Sequence, residues 1–327
     1  MYYTWLIIKD LCAPSKGRQR TKRKENDMIL CIGEILCDMT GSVQSGKTVY
    51  EQNAGGAPFN VACAAAKFGA ESAFVGCVGD DLMGTFLERF ARAQGLKELY
   101  LRRDPRRNTT LAFVSLDEHG DRSFCFYRKN TADYHLPAVP DDLLGRAHIV
   151  HVGSLMLSER AGRLYAAELM RRAREAGKLV SFDVNFRSDI FPDTRAAVKV
   201  YREIIALADI VKFSEDEVAI FGEDYVSGFP EKLVCVTLGG KGCEWRFQGE
   251  RHALPAIDVK PVDTTGAGDA FFAGVLSRLD GTSPAQWTAE KLDEAFSYGN
   301  VAGALNTLGR GAIDHLPPRE EIARRLS

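Results

Sequence analysis

The sequence predicts one α/β domain built on a doubly wound, mainly parallel sheet flanked by helices, with a few extra β-strands inserted early. Two observations lead to this class. In the middle of the chain, short apolar runs alternate with longer helix-like segments, which is typical of βαβ units and a parallel sheet. Nearer the amino end, two β-rich runs flank the segment DEHGD, which favours a hairpin of antiparallel strands.

The first elements follow from apolar runs and their boundaries. Residues 28–37 (MILCIGEILC) form a strand-like apolar run, and residues 58–68 are rich in helix formers. Gly69 follows the second segment and is a signal for a helix end. The other elements of this part are assigned in the same way: strands at 72–78, 109–116 and 122–128, and a helix at 82–93.

The rest of the chain alternates between the two patterns. Short runs that are apolar throughout indicate strands buried on both faces, at residues 148–152, 179–184, 210–213 and 233–238. Helix-like segments lie between and after them, at residues 159–176, 195–207, 215–221, 267–279 and 288–308. A further β-type run at 257–262 precedes the fourth of these helices. Ligands of such sheets bind beyond the carboxyl ends of the strands, so we expect the site there.

Composition excludes several functional classes. The 327 residues include 42 basic and 44 acidic side chains, so the chain lacks the basic excess of a nucleic-acid-binding domain. No apolar run approaches the roughly 20 residues that a membrane-spanning helix needs. The eight cysteines lack paired metal-ligand spacing, and several stand in apolar runs, as Cys31, Cys37, Cys77 and Cys235 do. We therefore expect a cytoplasmic protein without nucleic-acid or membrane partners.

Residues 1–27 differ from the rest of the chain. An apolar stretch at 1–12 is followed by a basic run at 16–24, whereas a secretory signal places its basic residues first. We expect a disordered extension, or translation from an upstream start codon, with the folded domain covering residues 28–327. A targeting role for the extension is the alternative.

One nucleotide-binding pattern is present but is rejected. Residues 41–48 read GSVQSGKT and match the phosphate-loop pattern of nucleoside triphosphatases. That loop requires a helix beginning at its lysine, so that backbone amides wrap the phosphates. The residues that follow are VYEQNAGGAP, in which the glycines and Pro58 would break a helix almost at once. We predict a strand or turn here, with Lys47 in solvent.

A second glycine pattern carries the predicted chemistry. Residues 263–272 read DTTGAGDAFF and lead from the β-type run at 257–262 into the predicted helix at 267–279. The amides of Gly266, Ala267 and Gly268 would face an anion at the helix N-terminus, and Asp269 would stand beside them. That arrangement suits phosphoryl transfer, because the amides stabilise developing charge and the carboxylate accepts a hydroxyl proton. The alternative is that Asp269 only complements the helix dipole.

The chain resembles the ribokinase/pfkB family of carbohydrate kinases. The segment DTTGAGDAFFAG is similar to the C-terminal motif of that family, and GGAPFNVACAAAKFGAESAFVGCVGDDLMG is similar to its N-terminal motif. The resemblance implies a ribokinase-like kinase domain with a lid of β-strands from about 46–54 and 98–130. It also implies ATP and Mg²⁺ as cofactors, a K⁺ ion in many relatives, and a homodimer formed through the lid.

The resemblance assigns roles to individual residues. Asp269 is the implied catalytic base, with Gly266, Ala267 and Gly268 as the anion hole. The implied sugar contacts are Asp38, Gly55, Gly56, Asn60, Phe126, Arg128, Arg187 and Asp269. The implied nucleotide contacts are Asn185, Ser214, Glu217, Thr237, Gly239, Gly242, Gly268 and Asn300. Glu217 would also organise magnesium indirectly, although Ser214 replaces the asparagine that the family has there, and Asp263 and Thr265 would hold the monovalent cation.

The substrate implied by the resemblance is a ketohexose, with fructose favoured. Phe126 stands where kinases of 2-keto-3-deoxygluconate tend to have tyrosine, and Ala57 stands where ribokinases usually have lysine. Arg128 and Arg187 do not separate the two substrates, since fructokinases carry both arginines. A kinase for 2-keto-3-deoxygluconate or another sugar is therefore the alternative. Two other classes are a phosphate-loop nucleoside triphosphatase that uses Lys47 and a non-catalytic relative.

Overall fold

A computed structural model describes residues 27–116, 122–191 and 193–326. The large sheet has nine strands in the order β13-β12-β11-β10-β9-β8-β1-β4-β5, and a smaller sheet has the order β3-β2-β6-β7. The strands are β1 (Ile29–Ile32), β2 (Leu36–Gln44), β3 (Lys47–Gly55), β4 (Ser72–Gly79), β5 (Glu98–Asp104), β6 (Leu111–Leu116), β7 (Arg122–Tyr127), β8 (Ile149–Val152), β9 (Leu179–Asp183), β10 (Ile210–Ser214), β11 (Leu233–Thr237), β12 (Cys243–Phe247) and β13 (Glu250–Leu254). The helices are α1 (Ala57–Lys67), α2 (Leu82–Arg92), α3 (Asp141–Arg146), α4 (Arg160–Glu175), α5 (Thr194–Ile205), α6 (Glu215–Phe221), α7 (Glu223–Val226), α8 (Ala267–Leu279), α9 (Ala289–Asn306) and α10 (Arg319–Leu326).

The large sheet is covered by helices on both faces. Strand β1 shows why: Ile29 and Cys31 point into the core beneath α1, α8 and α9, while Leu30 and Ile32 point into the core beneath α4 and α5. A parallel strand buried on both faces must be apolar throughout, as predicted. In the spatial order β11-β10-β9-β8-β1-β4-β5, each strand is parallel to its neighbours. Their carboxyl ends therefore meet at one edge of the sheet. The predicted doubly wound α/β fold is confirmed.

The small sheet places two predicted sugar contacts on one face. Strand β2 pairs with β3 in antiparallel fashion and with β6 in parallel, and β6 pairs with β7. In this register Asp38 lies opposite Ala112, which lies opposite Phe126. Paired residues share a face of a sheet, so Asp38 and Phe126 point the same way.

Two sequence predictions are corrected by the strand pairing, and one pair of strands had not been predicted. The predicted lid range began at residue 98, but Glu98–Asp104 pairs with β4 at the edge of the large sheet. The β-type run at 257–262 forms no strand; Val262 instead donates its backbone N–H to Thr307 O, 2.7 Å away. The hairpin of β12 and β13 was missed, because polar residues alternate with apolar ones along β12, in place of the continuous apolar runs of the inner parallel strands.

The phosphate-loop match falls in a hairpin turn. Its residues run from the end of β2 into the start of β3, and Ser45 and Gly46 make the turn with φ of 51° and 75°. Lys47 is exposed, and a strand rather than a helix follows it. The rejection of this motif is therefore confirmed.

Two expectations fall on parts of the chain without a description. The predicted extension through residue 26 and the hairpin connection at 117–121 lie outside the described residues. Within the described ranges, every helix is too short or too polar to cross a bilayer.

Candidate active site

Asp269 stands in the first turn of α8, at the carboxyl edge of the large sheet. Its Oδ2 atom accepts a hydrogen bond from Asn60 Nδ2 at 2.8 Å. Burial and the nearby charge of Asp183 raise the pKa of Asp269 to about 6, against the lowering effects of Asn60, Lys212 and Arg187. A carboxylate with a pKa near 6 is ionised at neutral pH and basic enough to take a hydroxyl proton.

The turn before α8 depends on a glycine. Gly266 has φ of 74°, a left-handed conformation, and a Cβ built there would lie 2.6 Å from Ala312 Cβ. This residue therefore lets the chain reverse into the helix while packing against the loop after α9. The amides of Ala267 and Gly268 consequently lie at the helix N-terminus, beside Asp269.

Alanine substitutions at two neighbouring glycines should separate this requirement from simple helix propensity. We expect Gly266→Ala to lower the free energy of unfolding by about 1–3 kcal/mol, because it adds backbone strain and a clash. Gly268→Ala is the matched control: its Cβ would lie 3.5 Å from Lys212 Nζ, an ordinary contact. Urea unfolding of both variants tests the difference, and equal losses would contradict the role of the left-handed turn.

A cavity of about 440 Å³ opens beside Asp269. Its walls come from the small sheet, from the connections that follow β1 and β9, and from the N-termini of α1 and α8. The sequence-predicted residues that it brings together are Asp38, Gly56, Asn60, Phe126, Asn185, Arg187, Thr265, Gly266, Gly268 and Asp269. The lining residues that the sequence analysis did not assign to the site are Glu34, Leu36, Ala57, Leu155 and Thr264.

Asp38 faces Asp269 across this cavity. Burial and the charge of Asp269 raise the pKa of Asp38 to about 7, while Arg187 lowers it. The carboxyl group lies against the backbone of Gly55, where a Cβ would come within 2.1 Å of Asp38 Oδ2. Gly56 has φ of 114°, and a Cβ there would lie 2.4 Å from Glu34 O. The glycine pair therefore lets the chain pass close to both acidic residues before α1 begins.

Arg128 does not lie on the wall of this cavity. Its guanidinium makes a buried ion pair with Asp133 at 2.6 Å, and it donates to Tyr134 Oη at 2.5 Å and to Leu155 O at 2.7 Å. These partners use much of its donor capacity, so Arg128 fixes the segment after β7. Of the two arginines implied as sugar contacts, only Arg187 reaches the cavity.

Lys212 was missed by the sequence analysis and lies behind the first turn of α8, where a Cβ at Gly268 would be 3.5 Å from its Nζ atom. Its ammonium group donates to both oxygens of Asp183, at 2.9 and 2.8 Å, and both side chains are buried. Burial lowers the pKa of Lys212, but the charges of Asp183, Glu217 and Asp269 and the hydrogen bonds to Asp183 together more than offset this, so the pKa lies above its usual value. The two residues are paired in register on β10 and β9, which a sequence read one element at a time does not reveal.

The predicted nucleotide contacts lie along the same edge of the sheet. Ser214 ends β10 and lies opposite Thr237 at the end of β11. Ser214 caps α6, and Glu217 accepts hydrogen bonds from the backbone N–H groups of Phe186 at 2.5 Å and of Ser214 at 2.7 Å. The serine that replaces the expected asparagine thus has a structural role as a helix cap.

The remaining predicted contacts lie outside the cavity walls. Gly239 and Gly242 have φ of 57° and 112° in the turn that leads to β12, and a Cβ at Gly239 would meet nothing within 4 Å. Asn300 on α9 donates to Pro255 O at 3.2 Å. The turn after β11 therefore leaves open space beside the backbone at Gly239.

Asp263 and Thr265 form a compact loop before α8. Asp263 accepts from the backbone N–H of Thr265 at 2.7 Å and from that of Gly311 at 3.1 Å. Within the described parts of the chain, His, Cys, Asp and Glu side chains form no cluster of three that could hold a metal ion. Any cation here would therefore depend on carbonyl and hydroxyl oxygens as well as Asp263.

The fold and the site define an α/β phosphotransferase that acts on an alcohol group. The chain belongs to the pfkB family of carbohydrate kinases, whose model matches residues 26–319. It is 36% identical over 323 residues to a probable fructokinase of Arabidopsis thaliana, covering 93% of this chain and 94% of that one.

Solved structures agree with this assignment. The chain is similar to a fructokinase of Xylella fastidiosa with bound ATP, with a TM-score of 0.84, 30% identity, and coverage of 91% of this chain and 98% of that one. It is also similar to a fructokinase of Vibrio cholerae bound to fructose, ADP and calcium, with a TM-score of 0.81 and 30% identity. That match covers 93% of this chain and all of the other. The expected family and the ATP-dependent kinase class are confirmed.

Proposed function

We propose that this protein transfers the γ-phosphoryl group of ATP to a primary hydroxyl of fructose, giving fructose 6-phosphate and ADP. The observation that carries the proposal is the position of Asp269, which lies beside the N-terminal amides of α8 on the wall of the cavity. That cavity also presents the side chains of Asp38 and Asn60, which suit hydrogen bonding to vicinal hydroxyls.

In the proposed mechanism, Asp269 removes the proton of the attacking hydroxyl. Asn60 donates to the same carboxylate and so fixes its orientation toward the cavity. The amides of Ala267 and Gly268 and the guanidinium of Arg187 then stabilise negative charge that develops on the transferred group. A degenerate, non-catalytic relative has no need to hold this combination of carboxylate and open helix N-terminus.

We assign the nucleotide to the carboxyl ends of β10 and β11. The open space beside Gly239, in a turn that leaves its backbone accessible, fits a nucleotide lying along the chain. Bound ATP would supply the phosphoryl group, and Mg²⁺ would supply positive charge that offsets the negative charge of the phosphates. Because Glu217 already accepts two backbone N–H groups, it would act on the metal through water, as the resemblance implies. Asp263 and Thr265 remain the proposed K⁺ contacts.

Fructose is favoured over 2-keto-3-deoxygluconate by the charges at the cavity. Three carboxyl groups line it, those of Glu34, Asp38 and Asp269, against the single guanidinium of Arg187. The resemblance implies that acid-sugar kinases hold the carboxylate with a pair of arginines, and here Arg128 is committed to Asp133. A neutral sugar therefore suits this site better than a carboxylate.

A substrate panel tests the proposal. ADP release should be measured with fructose, 2-keto-3-deoxygluconate, ribose and adenosine, and the product of the best substrate should be identified by mass spectrometry and NMR. We expect the highest kcat/KM for fructose and phosphate on its 6-position. A preference for 2-keto-3-deoxygluconate would transfer the assignment to the acid-sugar kinases, and no turnover with any sugar would favour the non-catalytic class.

The pH dependence of kcat/KM for the sugar should show an acid limb above the usual carboxylate range. Asp269, with a pKa of about 6, must be ionised to take a proton, and Asp38, with a pKa of about 7, accepts hydrogen bonds through both of its oxygens only when it is ionised. Activity is therefore expected to fall as pH drops from 7 through 6. Direct measurement of sugar phosphate between pH 5 and 8 checks this, and a constant kcat/KM down to pH 5 would contradict it.

We also propose that the small sheet is the lid and that two copies of the chain associate through its outer face. Opposite the face that carries Asp38, the ring of Phe113 packs between Tyr50 and Tyr127, with centroid distances of 5.0 and 5.2 Å. The two tyrosines are 46% and 62% exposed. Light scattering is expected to give a dimer mass for the wild type and a monomer mass for Tyr127→Lys; a monomeric wild type would refute the association.

A further inference from the structure

Glu34 is a buried carboxyl group without a hydrogen-bond partner on another residue. It lies in the short connection between β1 and β2, is 1% exposed, and lines the same cavity as Asp269. Among the described residues, no other residue donates to Oε1 or Oε2. Buried polar atoms in folded proteins nearly always have a partner, so this one requires an explanation.

The surrounding backbone makes room for this carboxyl group. A Cβ at Gly153, at the end of β8, would lie 2.7 Å from Glu34 Oε2 and 2.8 Å from Pro58 Cγ. Gly33 is equally confined, since its Cβ would lie 2.6 Å from Pro58 Cγ. Two glycines and a proline thus form a fitted space, and the position of the carboxyl group is set by the fold.

The protein environment only partly compensates for burying this group. Burial raises the pKa of Glu34 to about 7, while the charge of Arg128 and the residue's own backbone N–H lower it. Asp133 and Asp269 raise it further. Because Arg128 is already paired with Asp133, its attraction for Glu34 is weakened. A buried carboxyl without a partner is costly in either protonation state, and a donor or acceptor entering the cavity would remove that cost.

We propose that Glu34 is a specificity residue that hydrogen-bonds a sugar hydroxyl other than the one phosphorylated. A hydroxyl suits both states of the group, since it donates to a carboxylate and accepts from a carboxylic acid. The group would correspondingly disfavour a ligand with a carboxylate or a hydrogen at that position. This inference rests on the proposed sugar kinase activity and adds a determinant that recognises neutral, hydroxylated substrates.

Deoxy sugars on wild-type and variant enzymes test the proposal. Glu34→Met should raise the KM for fructose about tenfold to a hundredfold, with the KM for ATP unchanged. One monodeoxyfructose should show a similar rise on the wild type and no further rise on Glu34→Met, because the variant no longer senses that hydroxyl. Glu34→Gln, which keeps the shape and a hydrogen-bonding end, should give an intermediate KM. Glu168→Gln, on the exposed face of α4, is the matched control.

A thermal-shift measurement separates this role from a structural one. We expect Glu34→Met to keep or raise the Tm of the free protein, since it removes an uncompensated polar group, while the shift in Tm caused by fructose shrinks. If each deoxy sugar raises the KM by the same factor on the wild type and on Glu34→Met, the hydrogen-bond partner of Glu34 is a bound water and not the sugar. That result overturns the proposal. A lower Tm with an unchanged sugar-induced shift would overturn it equally.

These outcomes differ from failure of the proposed function. If the wild type does not phosphorylate fructose, the fructose assignment fails, and the same comparison is made with the deoxy forms of the sugar that the panel identifies. If the wild type turns over its sugar but shows no hydroxyl-specific difference at Glu34, only the present inference fails.

Discussion

Substitution of Asp269 by asparagine is expected to lower kcat about 10²–10⁴-fold, the range that a positioned general base contributes. Asparagine has nearly the same shape and can still hydrogen-bond with Asn60, so the first turn of α8 should persist. What it cannot do is accept a proton from the attacking hydroxyl. Steady-state rates of sugar phosphate formation, with circular dichroism and a sugar-induced shift in Tm to verify folding and binding, measure the effect.

Lys47→Ala is the matched control for this loss. Lys47 is exposed at the start of β3 and belongs to the rejected phosphate-loop match, so its removal should leave kcat unchanged. The reverse result, in which Lys47→Ala abolishes turnover and Asp269→Asn spares it, would refute the sugar kinase assignment and favour a phosphate-loop nucleoside triphosphatase.

Replacement of Lys212 by methionine is expected to produce the largest loss of stability. It leaves Asp183 buried, charged and unpaired, and breaking a buried ion pair from one side typically costs about 3–5 kcal/mol. The loss should be seen as a lower free energy of unfolding in urea. Since the lysine also lowers the pKa of Asp269, the acid limb of kcat/KM should move to higher pH in any variant that remains folded.

Two further variants show whether the cost comes from the unpaired charge. The double variant Asp183→Leu/Lys212→Met should recover much of the lost stability, because well-packed apolar residues can replace a buried pair at little cost. Lys241 and Glu215 form an exposed ion pair, in which the side chains are 71% and 55% exposed, respectively. Lys241→Met should therefore change the free energy of unfolding by about 1 kcal/mol or less. Equal effects of Lys212→Met and Lys241→Met would contradict the argument.

Local sequence patterns were sufficient for most of the large sheet and its helices. The apolar runs at β8 to β11 and the glycine-bounded helix α1 carry their own periodicity and end signals, so each was assigned without knowledge of its neighbours. The run at 257–262 looked like a strand for the same reason, but its backbone bonds to Thr307 and pairs with no strand. Hydrophobicity alone does not report whether a partner strand is available.

The site was predicted where a motif joins its parts and missed where only the fold does. Gly266 to Asp269 are contiguous, so their shared helix N-terminus follows from the sequence. The partner of Lys212 depends on the register between β9 and β10, and the role of Arg128 depends on Asp133 turning back toward it. Glu34 belongs to an ordinary strand-like run, and nothing in that run signals a buried acid.

The path of the chain from β1 into β2 has a consequence for selectivity. Strand β1 is an inner strand of the large sheet, third from the edge formed by β5, and β2 is an inner strand of the small sheet, with only Gly33, Glu34 and Ile35 between them. Asp269 lies on a helix packed against the large sheet, and Asp38 lies on the small sheet. Binding of a molecule that contacts both residues therefore depends on the angle between the two sheets. Discrimination among similar sugars is then a property of how stiff this three-residue junction is, as well as of the groups that line the cavity.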